Sequence, residues 1–459
     1  MTGADRRPRY RHIAVIDIGK TNAKVVVIDG ASGAEIAVRK IANHVVDEPP
    51  YPHYDVDGLW VFVRQALREF AETPGFQAIS ITTHGASAAL LDEHGALALP
   101  VLDYEYVYPS EIREAYQRLR PAFSETFSPA LTGGLNLGAQ LHYQQTRFPR
   151  EFARVSSIVT YPQYWAFRLT GVRANEASSL GCHTDLWEPV AGRFSGLVDA
   201  LGIRGLMAPI RSAFDALGFV SPDLAGELGL GGAVPVYCGI HDSNASLLPH
   251  LIGRQPPFAV VSTGTWAILF SVGAAFGSLD PVRDTLVNVD AYGRPVASSR
   301  FMGGREFEML TAEAPPSGDE ELADALDRVL ARDVMLMPSV VQGSGPFPAV
   351  ASRWISQPGD AHEIRAAASL YVALMTIVCL DLIGADGPVI VEGPFASNGI
   401  YLQALKTLLA RPVFAAQGST GTALGAAVLA GVEPRVHIRD ITETIPNLAP
   451  FAARWHGRL

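Results

Sequence analysis

Residues 17–24, with the sequence DIGKTNAK, combine side chains that can hold a phosphate group. Gly-Lys-Thr occurs in the P-loop, but that motif needs another glycine five positions before Gly19, and Ala14 stands there. Apart from Lys24, residues 13–16 and 23–28 are aliphatic and rich in β-branched types, which predicts a strand on each side of the glycine. The stretch is therefore predicted to be a β-hairpin with a glycine turn and not a P-loop.

A glycine turn of this kind can present backbone N–H groups to a phosphate. Lys20 and Lys24 could neutralise phosphate charge, and Thr21 and Asn22 complete the turn. Asp17 could hold Mg²⁺ through water, because Mg²⁺ keeps much of its hydration shell in proteins. The alternative is a hairpin in which the aspartate and the glycine merely suit a turn.

A second hairpin of the same form is predicted at residues 258–269, FAVVSTGTWAIL. Its turn contains Thr263, Gly264 and Thr265, so it too could offer hydroxyl and N–H groups to a phosphate. Each hairpin opens a half in which predicted strands and helices alternate, which is typical of a duplicated α/β fold with mixed sheets. We expect one domain over residues 1–246 and a second over residues 247–459.

Asp242 lies in the segment GIHDSNAS, just after a short predicted strand over residues 234–238. A carboxylate at a strand end can act as a general base towards an attacking hydroxyl. It can also be a plain helix N-cap, a position that favours aspartate. The sequence leaves both interpretations open.

Two further patterns bear on ligands. Residues 392–398, EGPFASN, form a turn at the carboxyl end of a predicted strand, a position that favours nucleotides in α/β sheets. Cys182–His183 and Cys238 with His241 supply potential metal ligands, but the paired spacing of a zinc site is missing.

Composition limits the class of protein. The chain has 459 residues, 48% of them hydrophobic and 18% charged, and its net charge of −10 is scattered along the sequence. We expect no nucleic-acid or membrane partner, and a homodimer is one assembly that stays open. The apolar run over residues 366–380 is shorter than the ~20 residues of a membrane-spanning helix and predicts a buried helix. Three cysteines and no evident signal peptide favour a soluble protein of the cytoplasm.

Taken in order, these motifs resemble those of the FGGY carbohydrate kinases, over nearly the whole chain. Asp17, Gly19, Thr21 and Lys24 match the family's first phosphate motif, Asp-x-Gly-x-Thr-x-x-Lys, and residues 263–265 match its second. Residues 239–246 are similar to the catalytic-aspartate segment, with a His-Asp pair closest to the rhamnulose kinase branch. Residues 393–398 resemble the adenosine-binding turn, and residues 421–430 resemble the small-residue helix behind it.

The resemblance implies two duplicated ribonuclease H-like lobes of mixed α/β structure, separated by a cleft. It implies ATP and Mg²⁺ as cofactors, Asp242 as the catalytic base, and Asp17 with Asp242 as ligands of Mg²⁺ through water. The N-terminal lobe would bind the sugar and the C-terminal lobe the adenosine. The implied ATP and phosphate contacts are Asp17, Gly19, Lys20, Thr21, Asn22, Lys24, Thr263, Gly264, Thr265, Gly393, Pro394, Phe395 and Asn398.

The sugar contacts are implied in the same way, and one of them, Gln163, stands where the family commonly has an aspartate. The implied contacts are His84, Gly85, Asp103, Gln163, Tyr164, His241 and Asp242. Lys20 stands where the family usually has Ser or Thr, and Tyr104 replaces a common Trp near the sugar. Alternatives are a satisfied loop histidine for His84, a surface acid for Asp103, and packing residues for Gln163 and Tyr164.

The function implied is an ATP-dependent kinase that phosphorylates a primary hydroxyl of a ketose or related polyol. The His-Asp pair favours a deoxy-ketose such as L-rhamnulose or L-fuculose. A xylulose, ribulose or glycerol kinase is an alternative, and so is a non-catalytic sugar or nucleotide sensor, because a fold does not fix a function.

Overall fold

The computed structural model describes residues 10–315, 318–417 and 421–459. The chain forms two compact units. The first unit takes the described residues within Met1–Ile252, Val287–Pro295 and Thr420–Arg435, and the second takes those within Gly253–Leu286, Val296–Ser419 and Val436–Leu459. The main division thus falls after residue 252, and two later segments return to the first unit. The single boundary expected after residue 246 does not include these returns.

Strands and helices alternate through the first unit. Its strands are β1 (His12–Ile18), β2 (Asn22–Asp29), β3 (Glu35–Ala42), β4 (Val45–Val46), β5 (His53–Tyr54), β6 (Ala78–Thr83), β7 (Ala88–Leu91), β8 (Leu97–Leu99), β9 (Ser157–Thr160), β10 (Asn175–Glu176), β11 (Trp187–Glu188), β12 (Arg193–Phe194), β13 (Ile210–Arg211), β14 (Ala216–Phe219), β15 (Pro235–Tyr237) and β16 (Ile240–His241). Its helices up to residue 252 are α1 (Val56–Glu72), α2 (Ser110–Leu119), α3 (Phe123–Thr126), α4 (Leu137–Arg147), α5 (Pro149–Phe152), α6 (Tyr161–Thr170), α7 (Ala177–Leu180), α8 (Gly196–Ala200), α9 (Pro222–Leu228) and α10 (Asp242–Leu251), with a 3-10 turn at Arg204–Leu206.

The chain from residue 253 onwards has the same alternation. Its strands are β17 (Phe258–Thr263), β18 (Ala267–Val272), β19 (Thr285–Val289), β20 (Pro295–Phe301), β21 (Leu336–Met337), β22 (Arg353–Trp354), β23 (Val389–Glu392), β24 (Val413–Gln417) and β25 (His437–Asp440). Its helices are α11 (Gly303–Thr311), α12 (Asp319–Arg332), α13 (Ala361–Leu382), α14 (Gly399–Leu409), α15 (Thr422–Leu429) and α16 (Leu448–His456), with 3-10 turns at Pro281–Arg283 and Pro394–Ser397. Helix α15 belongs to the first unit.

Six strands of each main sheet follow the same order, which confirms the predicted duplication, while β16 beside β6 and β19 beside β20 have no counterpart among the described residues of the other sheet. In the first unit β3, β2 and β1 form an antiparallel meander, β6 and β15 continue the sheet in parallel, and β14 closes it antiparallel. In the other sheet β20, β18 and β17 form the meander, β23 and β24 continue in parallel, and β25 closes it. The first predicted phosphate hairpin is thus the β1–β2 pair, and the second is the β17–β18 pair. The fold is mixed α/β with two ribonuclease H-like units.

Each unit is held by its own apolar core. Strand β1 is buried at every position, and its aliphatic side chains pack on one face with α1 and α6 and on the other with α10 and α15. The core of the second unit is built around α13, whose residues from Ala366 to Leu380 are buried. This confirms the buried helix predicted for the apolar run.

Helix α13 is also the one helix in the described ranges that is long and apolar enough to cross a membrane by length and composition. Within its most apolar window, 89% of the residues are buried inside the protein. The apolar character of α13 is therefore accounted for by its position in the core of the second unit.

Candidate active site

The sheet of the first unit brings three predicted functional segments to one edge. Strand β6 lies between β1 and β16 and runs parallel to both, so that Thr82 pairs with Asp17 on one side and with Ile240 on the other. The chain then continues from β6 into His84 and from β16 into Asp242. Because parallel strands end at the same edge of a sheet, side chains from distant parts of the sequence meet there.

Asp17 is nearly buried, with 7% of its surface exposed. Lys24 lies opposite it in the β1–β2 register, and its Nζ is 3.5 Å from Oδ2 of Asp17. The hydroxyl of Thr422, at the start of α15, donates a hydrogen bond to the same oxygen. Burial raises the pKa of Asp17, and the charge of Asp242 adds to this, while Lys24 and Thr422 oppose it.

The turn of the first hairpin is exposed and internally braced. The N–H of Gly19 donates to the carbonyl of Asn22 at 2.9 Å, and the amide of Asn43 donates to the carbonyl of Gly19 at 2.8 Å. Thr21 and Asn22 are exposed, and their side chains are joined by a 3.0 Å hydrogen bond. The turn therefore has a fixed shape and an open surface.

Lys20 belongs to the same turn but reaches a different set of partners. Its ammonium group donates to Oδ1 of Asp103 and lies 3.4 Å from the hydroxyl of Tyr54. It also lies over the ring of Tyr104, 4.7 Å from the centroid. The structure thus joins a residue predicted for phosphate, Lys20, to a residue predicted for sugar, Asp103.

Asp242 is the first residue of α10, and the N-cap position is held by His241. Oδ1 of Asp242 accepts a hydrogen bond from the N–H of Ser243 at 2.6 Å and lies 3.1 Å from Nε2 of His241. The side chain remains 30% exposed. Burial pushes the pKa of Asp242 upward, but the charge and hydrogen bond of His241 outweigh burial, and the pKa lies below its ordinary value. The carboxylate is therefore ionised at neutral pH.

His241 is buried and held between polar neighbours. Burial pushes the pKa of its imidazole down, but Cys182 and Asp242 outweigh burial and place the pKa well above the ordinary value. Nδ1 of His241 lies 3.2 Å from the amide nitrogen of Asn244, whose Oδ1 is buried without a partner in the described residues. A 180° turn of that amide would let Oδ1 accept a hydrogen bond from a protonated Nδ1, which agrees with an imidazolium at this position.

His84 and Gly85 follow β6 beside these groups. Nδ1 of His84 donates to the carbonyl of Gly85 at 2.9 Å, and burial lowers the pKa of His84 to about 4, so the ring is neutral at neutral pH. The ring packs 4.9 Å from those of Tyr54 and Tyr161, centroid to centroid. A Cβ added to Gly85 would lie 2.7 Å from Nε2 of His241. Glycine is therefore required here for the histidine beside Asp242 to keep its place.

Gln163 and Tyr164 lie deeper in the first unit. Gln163 is fully buried, and its Nε2 donates to the carbonyls of Cys238 and Gly239 at 2.9 and 3.1 Å. Tyr164 is 2% exposed, and its hydroxyl accepts from Arg168 at 2.7 Å. These contacts are those of packing residues, and Gln163 anchors the segment that leads to Asp242. Their contact with a sugar stays a prediction.

The carboxylates of the first unit can be compared with what Mg²⁺ requires. No group of three or more His, Cys, Asp or Glu side chains placed to hold a metal ion occurs in the described parts of the chain. Mg²⁺ is commonly held by one or two carboxylates, with water and substrate phosphates as its other ligands. The charge of Asp242 raises the pKa of Asp17, so the two carboxylates lie near each other. Together they fit that donor set.

In the second unit, the second hairpin and the predicted adenosine turn are in direct contact. The hydroxyl of Thr263 donates to the carbonyl of Glu392 and accepts from the N–H of Phe395 at 3.2 Å. Gly393 has a φ of +77°, and a Cβ added there would lie 2.0 Å from the carbonyl oxygen of Thr263. Only glycine therefore allows the turn to follow the hairpin this closely.

A cavity of roughly 960 Å³ opens beside this contact. It is lined by several of the predicted nucleotide contacts, namely Gly264, Thr265, Pro394, Phe395 and Asn398. Its volume lies in the range of small-molecule sites in proteins. The amide of Asn398 caps α14 by accepting from the N–H of Tyr401 at 3.0 Å and donates to Ser369 at 3.0 Å, so this side chain is held rigidly at the cavity wall.

Three residues of these sites were not singled out from the sequence. Thr422 contacts Asp17, Tyr54 contacts both Lys20 and Asp103, and Asn43 braces the hairpin turn. For Thr422 the sequence did carry a signal, since it falls within residues 421–430, which resemble the family's small-residue helix. Tyr54 ends the two-residue strand β5 and Asn43 lies in the loop between β3 and β4, and neither belongs to a motif.

Comparison with known proteins agrees with this arrangement. Residues 12–249 match the N-terminal domain of the FGGY family of carbohydrate kinases, and residues 255–438 match the C-terminal domain of carbohydrate kinase FGGY. The structure is similar to the crystal structure of a carbohydrate kinase from Novosphingobium aromaticivorans, with a TM-score of 0.90 and 36% identity over 97% of this chain and 98% of that one.

Sequence relatives are more distant. An L-fuculokinase of Salmonella typhi is 24% identical over 269 residues, 56% of each chain. A rhamnulokinase of Halalkalibacterium halodurans is 22% identical over 268 residues, 55% of each chain. The matches thus span a little over half the length of these relatives. Because the two domain models together cover most of the sequence, the chain belongs to the FGGY family of carbohydrate kinases.

Proposed function

We propose that this protein is an ATP-dependent kinase that transfers a phosphoryl group to a primary hydroxyl of a ketose or a related polyol. The observation that carries the proposal is the meeting of Asp17 and Asp242 at the ends of strands that flank β6, beside Lys24 and Thr422. A phosphate hairpin and a partly exposed carboxylate at one sheet edge are what phosphoryl transfer to a hydroxyl needs.

Asp242 is proposed as the general base. Its contacts with Ser243 and His241 are made by Oδ1, which leaves Oδ2 to accept the proton of the sugar hydroxyl as the bond to phosphorus forms. His241 holds the carboxylate in that orientation and keeps it ionised. An N-cap role is disfavoured because the N-cap position belongs to His241.

Each unit carries predicted contacts for the phosphate donor. Lys24 and the N–H groups around Gly19, Thr21 and Asn22 would bind phosphate oxygens on the first unit. Thr263, Gly264 and Thr265 would do so on the second, where residues 393–398 would hold adenosine in the cavity described above. Mg²⁺, held through water by Asp17 and Asp242, would supply positive charge to the phosphates when it is bound.

Among sugars, we favour a 6-deoxy-ketose such as L-rhamnulose or L-fuculose. The support is the pair of relatives named L-fuculokinase and rhamnulokinase, at low identity over about half their length. We place the enzyme in the cytoplasm, in keeping with three free cysteines.

The experiment measures the release of ADP from ATP, in the presence of Mg²⁺, with each of five candidate substrates: L-rhamnulose, L-fuculose, D-xylulose, ribulose and glycerol. We expect sugar-dependent ADP release, with the highest kcat/KM for a 6-deoxy-ketose. A higher value for xylulose, ribulose or glycerol would reject the deoxy-ketose and keep the kinase. Saturable sugar binding by calorimetry with no ADP release from any sugar would instead indicate a sensor.

A further inference from the structure

The side chain of Lys20 contacts two segments that lie outside its own hairpin. Its ammonium group contacts Asp103, lies 3.4 Å from Tyr54 Oη and 3.4 Å from Oε2 of Glu105, and is 18% exposed. It also lies over the rings of Tyr54 and Tyr104, at 5.1 and 4.7 Å from their centroids. A lysine with this many partners is held in one orientation.

Lys24, four residues later, shows the contrast. It extends from β2 to Asp17 at the sheet edge, where its Nζ is 3.5 Å from the carboxylate. The two lysines of the hairpin therefore serve different surroundings. Lys24 contacts Asp17, which is predicted to belong to the phosphate site, and Lys20 contacts Asp103, which is predicted to bind the sugar.

Asp103 is oriented by the same contacts. Its Oδ1 accepts from Lys20, from the hydroxyl of Tyr54 at 3.2 Å and from the N–H of Glu105 at 3.2 Å. All three donors act on Oδ1, so the carboxylate is fixed, and Oδ2 has no hydrogen-bond donor among the described residues. Such an oxygen is an acceptor suited to a sugar hydroxyl.

This pair is continuous with the surroundings of Asp242. The ring of Tyr104, beneath Lys20, lies 5.4 Å from that of His84. His84 in turn precedes Gly85, which borders His241. A series of contacts in the first unit thus links the proposed base to Asp103 through His84, and a sugar with its reacting hydroxyl at Asp242 would lie beside it.

The charges around Asp103 indicate which sugars it suits. The single positive charge of Lys20 faces the carboxylates of Asp103 and Glu105, the latter 65% exposed. The cluster therefore carries no excess positive charge with which to attract a sugar acid. An acceptor oxygen fixed by a neutralising lysine suits the hydroxyl groups of an uncharged sugar.

We infer that Lys20 is a positioning residue for sugar recognition, which acts by fixing Asp103 as the acceptor for a hydroxyl of an uncharged sugar, and that Lys20 is not a phosphate ligand. The inference rests on the proposed function. It reassigns a residue that the motif alone places with ATP.

The test compares Lys20→Met, which keeps the aliphatic stem but removes the charge, with Lys20→Arg and Asp103→Asn. Steady-state kinetics would measure the KM for the best ketose and the KM for ATP in each variant. We expect Lys20→Met and Asp103→Asn each to raise the sugar KM about tenfold or more, with the ATP KM within about twofold. Lys20→Arg should recover most of the sugar affinity.

Because the two residues act through one contact, the double variant Lys20→Met/Asp103→Asn should raise the sugar KM no further than either single variant. The double variant also separates misfolding from a loss of sugar recognition. It removes the carboxylate charge of Asp103, which Lys20→Met leaves unpaired, so it should recover any Tm that Lys20→Met loses. The sugar affinity should not be recovered. Lys40→Met, at an exposed lysine of β3, is the matched control and should change neither KM.

Three results would overturn the inference. A raised ATP KM with an unchanged sugar KM in Lys20→Met would make Lys20 a phosphate ligand. A preference of the wild-type enzyme for an aldonate such as D-gluconate, lost in Lys20→Met, would make Lys20 a direct partner of a sugar carboxylate. A wild-type protein that releases no ADP with any sugar would remove the proposed function and this inference with it, whereas the first two results leave the kinase intact.

Discussion

The carboxylate of Asp17 accepts a hydrogen bond from the hydroxyl of Thr422, which lies 405 positions further along the chain. The contact is possible because α15 returns to the first unit, where Ser80 of β6 donates to the carbonyl of Ala426 at 2.6 Å. Gly425 brings α15 against α10 so closely that a Cβ there would lie 1.7 Å from the carbonyl oxygen of Ala245. The helix therefore holds its first hydroxyl at the phosphate hairpin.

Replacing Thr422 with valine should lower kcat by about tenfold, because a hydrogen bond to a charged, buried acceptor contributes roughly 1.5–3 kcal/mol. Asp17 would lose the donor that orients it, while the sugar side is untouched. Steady-state kinetics should show the loss in kcat with the sugar KM unchanged. Thr422→Ser, which keeps the hydroxyl, is the control and should retain most of the activity. Equal activity of the valine and serine variants would show that the contact does not matter for turnover.

Gly85→Ala tests the packing beside the proposed base. The new Cβ would collide with Nε2 of His241, which must then move away from Asp242. We expect kcat to fall by about tenfold or more, since small misplacements of catalytic groups have large effects. Gly226→Ala, where a Cβ meets no atom within 4 Å, is the control for a glycine substitution in the same unit. Wild-type kcat in a folded Gly85→Ala variant would contradict the proposed role of His241.

In the second unit, Gly393→Ala should weaken nucleotide binding. Alanine is strained at a φ of +77°, and its Cβ would overlap the carbonyl oxygen of Thr263, so the turn must separate from the hairpin. The ATP KM should rise about tenfold or more, with the sugar affinity measured by calorimetry unchanged. A similar loss for both ligands would indicate general unfolding, and an unchanged ATP KM would argue against this turn as part of the nucleotide site.

Some features of the candidate site could be predicted from the sequence, and others could not. The hairpins were predictable because each consists of two adjacent apolar strands joined by a glycine turn, and Asp242 could be singled out because it follows a strand. The partners of Lys20 and Asp17 were not predictable. Asp103 lies 83 positions from Lys20 and Thr422 lies 405 from Asp17, and such pairs are created by the sheet order and by the return of α15. Local patterns carry no record of contacts at that range.

Glu176 should make the stability of the fold depend on pH. Burial raises the pKa of this carboxyl to about 7 from its ordinary 4.5, although Ser178 and Ser179 donate to it. At a pH between 4.5 and about 7, the carboxyl of Glu176 has lost its proton in the unfolded chain but still holds it in the folded chain. The stability that Glu176 contributes therefore falls as the pH rises from 4.5 to 7 and is constant above that.

Glu176→Gln cannot ionise, so its deficit in Tm relative to the wild type should be largest near pH 5 and smallest near pH 8. Thermal unfolding of both proteins at pH 5, 6, 7 and 8 provides the measurement. Groups that titrate equally in the two proteins cancel in the difference. A deficit that stays constant or grows with pH would show that the carboxyl is already ionised in the folded protein.

The most direct test of the central claim, that Asp242 is the base of a sugar kinase, is the Asp242→Asn variant. Asparagine matches aspartate in size and keeps an oxygen for the N–H of Ser243, so fold and sugar binding should persist. ADP release with the best ketose and the sugar Kd by calorimetry would be measured for the variant and the wild type. We predict that kcat falls by about 10²-fold or more while the sugar Kd changes by less than about threefold. A folded variant that binds the sugar and keeps wild-type kcat would contradict the account.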